Sequence, residues 1–363
     1  MSTRRIRTLV VDDSAVVRRV ITETLAKEAE IEVVGTAIDP YAAREKILAL
    51  NPDVLTLDIE MPKMDGITFL RLIMKHRPMP VIVMSSLTTE GSTKALEALQ
   101  AGAVDVLDKP SGSFSAWADG RLAQKIKAAA QASLHNISSQ EAETPVRTIV
   151  KAPVISTPRL SGSGSRQLIV MGASTGGTEA LKKVLTALPD GLPPICIVQH
   201  IPAKFSLAFA NRLNDLCPFH VQEAQGGEVL QHGQAVVAPG GYHLLVRWNG
   251  NGYITALSEA PPVHHQRPAV DILFDSAVKA GAAPHVLGVL LTGMGADGAS
   301  GMVNLRQNGA FTIAQNEATC VVFGMPREAI RMGGASAVAG LPEIAGLMVR
   351  HCAARREAVL SAG

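Results

Sequence analysis

The sequence predicts an α/β chain made of two doubly wound parallel-sheet domains, and three observations predict it. Apolar runs of four to six residues recur without polar alternation, as expected of strands covered on both faces. Segments with helical apolar spacing separate these runs. Residues 136–165 break the pattern with Ser138, Ser139, Pro145, Pro153, Pro158 and the run SGSGS at 161–165, and read as a linker. The expected division is a first domain at 1–135, a linker at 136–165 and a second domain at 166–363. A chain of 363 residues suits two or three domains at roughly 150 residues each.

Each element follows from local pattern. In the first domain the apolar runs place strands at 8–11, 33–37, 54–57, 81–84 and 104–107. Helices are expected at 15–29, 41–50, 66–75 and 93–100, with an amphipathic one over 115–134. Asp39 before Pro40 predicts a helix start, an N-cap followed by proline at the first helical position. In the second domain strands are expected at 168–171, 195–199, 235–238, 244–247, 286–291 and 311–314. Helices should cover 178–188, 204–216, 269–280, 297–307 and 344–359. Residues 221–258 read as antiparallel strands inserted into the parallel sheet.

Composition excludes several function classes. Hydrophobic residues at 47% and charged residues at 18% exclude a disordered chain. Aromatics at 4% alongside 32 glycines suit aliphatic layers joined by tight turns. The 34 basic and 32 acidic residues nearly cancel, and residues 167–363 hold 13 of each. That balance argues against a nucleic-acid coat or a polybasic membrane anchor. Cys196, Cys217, Cys320 and Cys352 are far apart and suggest neither a disulfide framework nor a zinc site. No apolar run approaches ~18 residues, and the N-terminus reaches Asp12 and Asp13 too soon for a secretory signal. A soluble, cytoplasmic monomer without membrane insertion is expected.

Two constellations carry chemistry. In the first domain Asp12 and Asp13 follow the first strand, Asp58 ends the third, Ser85 ends the fourth and Lys109 follows the fifth. Carboxyl ends of parallel strands line one crevice, so these residues should converge. Grouped carboxylates need a cation, and oxygen donors suit Mg²⁺. The metal and Lys109 would neutralise a phosphoryl group arriving on Asp58. Taken singly, each residue has a bland alternative as a cap, a turn or a loop.

VVDDS at 10–14, LDIEMPKMDG at 57–66, the Ser85–Ser86 pair and AGAVDVLDKP at 101–110 resemble the response-regulator receiver family, over about residues 4–130. The resemblance implies a flavodoxin-like fold and phosphotransfer to Asp58 from a histidine kinase. It assigns Mg²⁺ to Asp12, Asp13 and Asp58, phosphoryl sensing to Ser85 and pairing with the phosphoryl group to Lys109. Val106 stands where many receivers carry a switching aromatic, so an aromatic relay is not expected.

In the second domain the first strand runs into Gly172, Ala173, Ser174, Thr175, Gly176 and Gly177, formally a G-x-S-x-G turn. His200 ends the next strand and Asp297 follows the strand at 286–291. These suit a nucleophile, a general base and a carboxylate that orients it. Alternatives remain: the glycine loop as an anion or dinucleotide site, His200 in a turn, Asp297 as the N-cap of its own helix. The loop lacks G-x-G-x-x-G, and the order Ser, His, Asp differs from that of ordinary α/β-hydrolases. His232, His243, His264, His265 and His285 are read as mostly surface residues. Asp271 and Asp275 are read as one helix face.

MGASTGGTEAL at 171–181, QHIPAKF at 199–205, APGGYH at 238–243, RPAVDILFDS at 267–276, LLTGMGADGASGM at 290–302 and AQNEATCVVFGMPREAI at 314–330 resemble the chemotaxis methylesterase (CheB) family. The resemblance implies a Rossmann-like catalytic domain with Ser174 as nucleophile, His200 as base and Asp297 as its partner. It also implies an oxyanion site at the Met294 backbone N–H, with Thr175 beside the nucleophile. The implied substrates are glutamate methyl esters, and in some members glutamines, on chemoreceptor cytoplasmic helices. No cofactor is implied for ester hydrolysis. The unphosphorylated receiver is expected to cover the catalytic cleft.

Overall fold

The computed structural model describes residues 4–86, 88–109, 120–134, 166–203 and 205–362. The chain folds into two compact units that divide near residue 138. The expected linker at 136–165 and the start of the helix expected at 115–134 lie outside the described residues.

The first unit is one parallel sheet with helices between its strands. Its strands are β1 (Ile6–Val11), β2 (Ile31–Ala37), β3 (Val54–Asp58), β4 (Val81–Ser85) and β5 (Asp105–Asp108), in the order β2-β1-β3-β4-β5. Its helices are α1 (Ala15–Leu25), α2 (Pro40–Leu50), α3 (Gly66–His76), α4 (Thr89–Gln100) and α5 (Arg121–Ala130). β3 and β4 are buried throughout, as apolar runs without alternation require. Side-chain caps set the helix starts. Ser14, Asp39, Asp65 and Thr88 accept the backbone N–H of Val17, Ala42, Thr68 and Gly91. The Thr88 cap explains why α4 begins four residues before the apolar spacing suggested. The strand order reverses between β1 and β3, so the carboxyl ends of these strands open a crevice.

The second unit holds a seven-stranded parallel sheet and a separate hairpin. The sheet strands are β6 (Leu168–Ala173), β7 (Ile195–Gln199), β8 (His220–Glu223), β9 (Gln234–Val237), β12 (Val286–Leu290), β13 (Phe311–Gln315) and β14 (Ala337–Ala339). Their order is β14-β13-β12-β6-β7-β9-β8. The hairpin pairs β10 (His243–Trp248) with β11 (Tyr253–Ser258). The helices are α6 (Gly177–Thr186), α7 (Phe205–Leu216), α8 (Val270–Lys279), α9 (Ala299–Gln307), α10 (Met325–Arg331) and α11 (Leu341–Ala362).

Within 221–258 the antiparallel pairing is therefore that of β10 with β11, plus a single bridge from Val229 to Ile254 of β11. β8 and β9 pair parallel with each other, and β9 pairs parallel with β7. The connection at 224–233 is too long for a tight hairpin and returns the chain in the same direction. β14 and α10 were not anticipated; each is short and shows too few residues for a period. β6, β7 and β12 are buried along their whole length. Among the described residues no helix is long and apolar enough to cross a membrane.

Candidate functional site

Strand register brings the second constellation together. β6 lies between β7 and β12, with Ala173 opposite Gln199 and Gly172 opposite Leu290. Ser174 and His200 are the next residues on adjacent strands, and the His200 N–H donates to the Ala173 carbonyl at 3.0 Å. The order of connections reverses between β6 and β12, where ligands of such sheets bind. Asp297 reaches this point through the loop after β12.

The Ser174 turn is fixed by its backbone. Its N–H donates to the Thr292 carbonyl at 3.0 Å, and its carbonyl accepts the Gly177 N–H at 2.7 Å. Gln199 Nε2 donates to the carbonyls of Ser174 and His200 at 2.8 and 3.2 Å, tying nucleophile loop to base. The Thr292 hydroxyl donates to the Thr175 carbonyl at 3.0 Å. A β-carbon at Gly177 would collide with Gln199 Oε1 and come within 2.7 Å of Ala173 Cβ. One at Gly293 would come within 2.7 Å of Ser174 Cβ. Small residues are required where the two loops touch.

His200 Nε2 lies 2.7 Å from Asp297 Oδ2, and both side chains are buried. Nε2 therefore carries the ring proton toward the carboxylate, and Nδ1 is the nitrogen left to accept one. Among the described residues no hydrogen bond joins the Ser174 hydroxyl to His200. Asp297 is not the cap of its own helix. Its Oδ2 accepts the Val270 N–H at 2.7 Å and its Oδ1 the Asp271 N–H at 2.9 Å, which makes it the cap of α8. Burial pushes the Asp297 carboxyl up. The His200 hydrogen bond and charge, with the two backbone N–H groups, outweigh burial and hold it below the ordinary carboxylate value.

The Met294 N–H has no acceptor among the described residues, and Met294 is half-buried. The loop is pinned beside it. Gly293 donates to the Val322 carbonyl at 3.0 Å and accepts from Gly324 and Met325 at 3.0 and 2.8 Å. A free, held N–H at a strand end is what an oxyanion needs. Thr175 is buried beside the nucleophile.

Two residues read as peripheral belong to this region. His243 is fully buried, not a surface residue; its Nδ1 accepts the Ala269 N–H at 3.1 Å just before α8. Asp271 is buried as well. Gln199 and Thr292 were also missed; Gln315, read as part of a loop that could line the cleft without a catalytic role, accepts the Thr292 N–H at 2.8 Å. Their one sequence signal is a polar residue at the end of an otherwise apolar strand.

The first constellation also converges. Asp12 and Asp58 are buried, Asp13 is exposed, and their carboxylate oxygens lie within 4.8 Å of one another. The Lys109 ammonium sits 3.1 Å from Asp12 Oδ2 and 2.6 Å from Asp58 Oδ2. Burial pushes the Asp58 carboxyl up to about 6, with the Asp12 charge adding to it against Lys109 and the Glu60 N–H. Burial raises Asp12 too, against Lys109 and the Ser14 N–H. Burial opposes the Lys109 charge, yet Asp58 and Asp12 hold its ammonium above the ordinary value. Asp12 Oδ2 and Asp58 Oδ2 are buried without a well-directed hydrogen bond, although Lys109 is in ion-pair range. These oxygens fit a hard cation. Ser85 stands apart: its hydroxyl donates to the Gly91 carbonyl at 2.9 Å, toward α4.

Both halves of the chain are similar to known proteins. Residues 169–348 match the family model for CheB methylesterase, and residues 8–115 match that for the response regulator receiver domain. A protein-glutamate methylesterase/protein-glutamine glutaminase of Syntrophus aciditrophicus is 49% identical over 347 residues, 95% of this chain and 99% of that one. One from Methylobacillus flagellatus is 48% identical, over 96% of this chain and 97% of that one. The crystal structure of the Thermotoga maritima CheB methylesterase catalytic domain matches with a TM-score of 0.50 and 34% identity. That match covers 51% of this chain and 97% of that one.

Proposed function

The chain belongs to the protein-glutamate methylesterase/protein-glutamine glutaminase family, and from that premise we propose that it hydrolyses glutamate methyl esters, and deamidates glutamines, on chemoreceptor helices by a Ser174–His200–Asp297 mechanism switched by phosphorylation at Asp58. The proposed division is a receiver at 1–135, a linker at 136–165 and a methylesterase domain at 166–363. The observation that carries the reading is the buried 2.7 Å contact between His200 and Asp297 beside the Ser174 turn.

Ser174 Oγ bonds to the side-chain carbonyl carbon as its proton passes to His200 Nδ1. The imidazolium gives its Nε2 proton no exit, because Asp297 stays ionised and holds it. Negative charge gathers on the former carbonyl oxygen and is met by the Met294 N–H. Collapse breaks the carbon–methoxy bond, and the His200 proton leaves with methoxide as methanol. Water then bonds to the acyl carbon, giving a proton to His200. That proton returns to Ser174 as the glutamate carboxyl departs. A glutamine would release ammonia in place of methanol. The esterase chemistry uses protein groups throughout and is expected to need no cofactor.

In the receiver, Asp58 is the proposed acceptor of a phosphoryl group from a histidine kinase. Asp12, Asp13 and Asp58 would hold Mg²⁺, which when bound neutralises charge on the phosphoryl oxygens. Lys109 already bridges Asp12 and Asp58 and would move to the phosphoryl oxygens. Ser85 would leave Gly91 to meet them, which alters the start of α4. The test is methanol release from methylated receptors by the full chain. Ser174→Ala should abolish it with the fold intact; wild-type release by that variant would overturn the assignment.

A further inference from the structure

α8 and α9 start side by side, and neither start has a side-chain cap of its own: the N-cap residues are Ala269 and Gly298. Each helix is capped from the other. Asp297, just before α9, accepts two N–H groups of α8. Asp271, in the first turn of α8, accepts the Gly301 N–H of α9 at 2.7 Å. Two buried carboxylates thus share two helix N-termini, whose dipoles favour negative charge. Oxygens of Asp271 and Asp297 and a His264 ring nitrogen lie within 4.8 Å of one another.

The groups facing Asp271 are few. Asp297 faces it from the loop before α9, with His200 beyond at the end of β7. His264 Nε2 lies 3.3 Å from Asp271 Oδ2, from the loop before α8. Asp275 lies on the same helix and binds the Asn304 amide at 2.8 Å. Burial, then the Asp297 charge, push the Asp271 carboxyl up to about 6 against the Gly301 N–H and His264. Asp271 lies directly behind Asp297, the partner of the base, and donates its own N–H to Asp297 Oδ1.

We propose that Asp271 is a positioning residue of the esterase site: it pins the Asp297 loop through Gly301 and adds a second negative charge behind Asp297, which favours the imidazolium formed on His200 as Ser174 attacks. The proposal rests on the Ser174–His200–Asp297 reading. Asp271 touches neither Ser174 nor His200, so substrate binding should not depend on it. His264, half-exposed, faces the same carboxylate.

The experiment is the pH profile of kcat/KM for methanol release from methylated receptor by the full chain. Asp271→Asn keeps an oxygen for Gly301 and removes the charge. A negative charge favours a nearby cation, so its loss moves the acidic limb to lower pH, by roughly half to one unit for charges one residue removed. The plateau kcat should fall roughly three- to tenfold, the same free energy, with KM unchanged. The wild-type limb should be broader than one ionisation and sharpen to one in the variant. His264→Asn, at a position with φ +50° that asparagine tolerates, removes the ring facing Asp271 and should displace the limb by a few tenths of a unit. If Ser174→Ala is inactive and neither variant moves the limb, the proposal fails while the triad stands. A fall in kcat without any limb movement would mean a packing role only and also overturns it. If Asp271→Asn does not fold, an unmoved limb in His264→Asn overturns it. If Ser174→Ala stays active, the triad itself has failed.

Discussion

Replacing Asp297 by asparagine separates the two duties of that carboxylate. Oδ2 accepts from His200 Nε2 and the Val270 N–H, each at 2.7 Å, and Oδ1 from the Asp271 N–H at 2.9 Å. Asparagine has one acceptor oxygen. Placed at the Oδ2 position, it leaves the amide NH₂ facing the Asp271 N–H. Turned over, the NH₂ faces the Val270 N–H and His200, driving the ring proton to Nδ1, the atom that must receive the Ser174 proton. Either way a charge-assisted bond worth about 1.5–3 kcal/mol is lost. A buried donor is also left unmatched, at about 1–3 kcal/mol. The catalytic domain should lose roughly 3–5 kcal/mol, which at about 2–4 °C per kcal/mol lowers its Tm by roughly 10 °C. The rate should fall by ~10³–10⁴, as wrong tautomers do in serine hydrolases. Calorimetry of the full chain and methanol release measure the two effects. A melt within about 2 °C of wild type, or a rate within about tenfold, would refute the shared-cap reasoning.

Other outcomes follow from the same contacts. Gly177→Ala must displace Gln199, so methanol release should drop at least about tenfold and stability by about 1–3 kcal/mol; an unchanged rate would show that Gln199 does not hold the turn. Asp58→Asn should abolish stimulation by a small-molecule phosphodonor, and equal stimulation in that variant would place the acceptor elsewhere. The raised Asp58 carboxyl means the folded receiver binds a proton that the unfolded chain has released, so stability falls as pH rises from about 4 through about 6. Asp58→Asn should therefore melt higher than wild type at pH 7.5, with the gap closing toward pH 4 and narrowing when Mg²⁺ is added. A gap constant with pH would contradict the buried-charge account.

Much of the fold was legible because parallel sheets leave a strong local trace. Buried strands such as β3 and β7 must be apolar on both faces, and helices start at caps such as Asp39. Pairing direction leaves no such trace. β8 and β9 were read as antiparallel because a strand's own residues do not say which way its neighbour runs. The candidate site was legible where it coincides with strand ends, at Asp12, Asp58, Lys109, Ser174, His200 and Asp297. Gln199, Thr292, His243 and Asp271 were missed because each acts on a backbone group far away in sequence. Ser85 illustrates the same limit, since its hydroxyl in this structure serves Gly91.

By itself, the sequence determined two α/β units and the residue types gathered at their strand ends, because the chain order of apolar runs and turns decides which positions end a parallel strand. Only the tertiary structure decided what those residues touch. It made Asp297 the cap of α8 rather than α9, brought His200 Nε2 to 2.7 Å from it, and put Asp271 behind it under the Gly301 N–H. A carboxylate goes to whichever unpaired donors are nearest in space. At this site they belong to the first turns of two helices some thirty residues apart, capped across the gap because neither Ala269 nor Gly298 has a side chain that can do it.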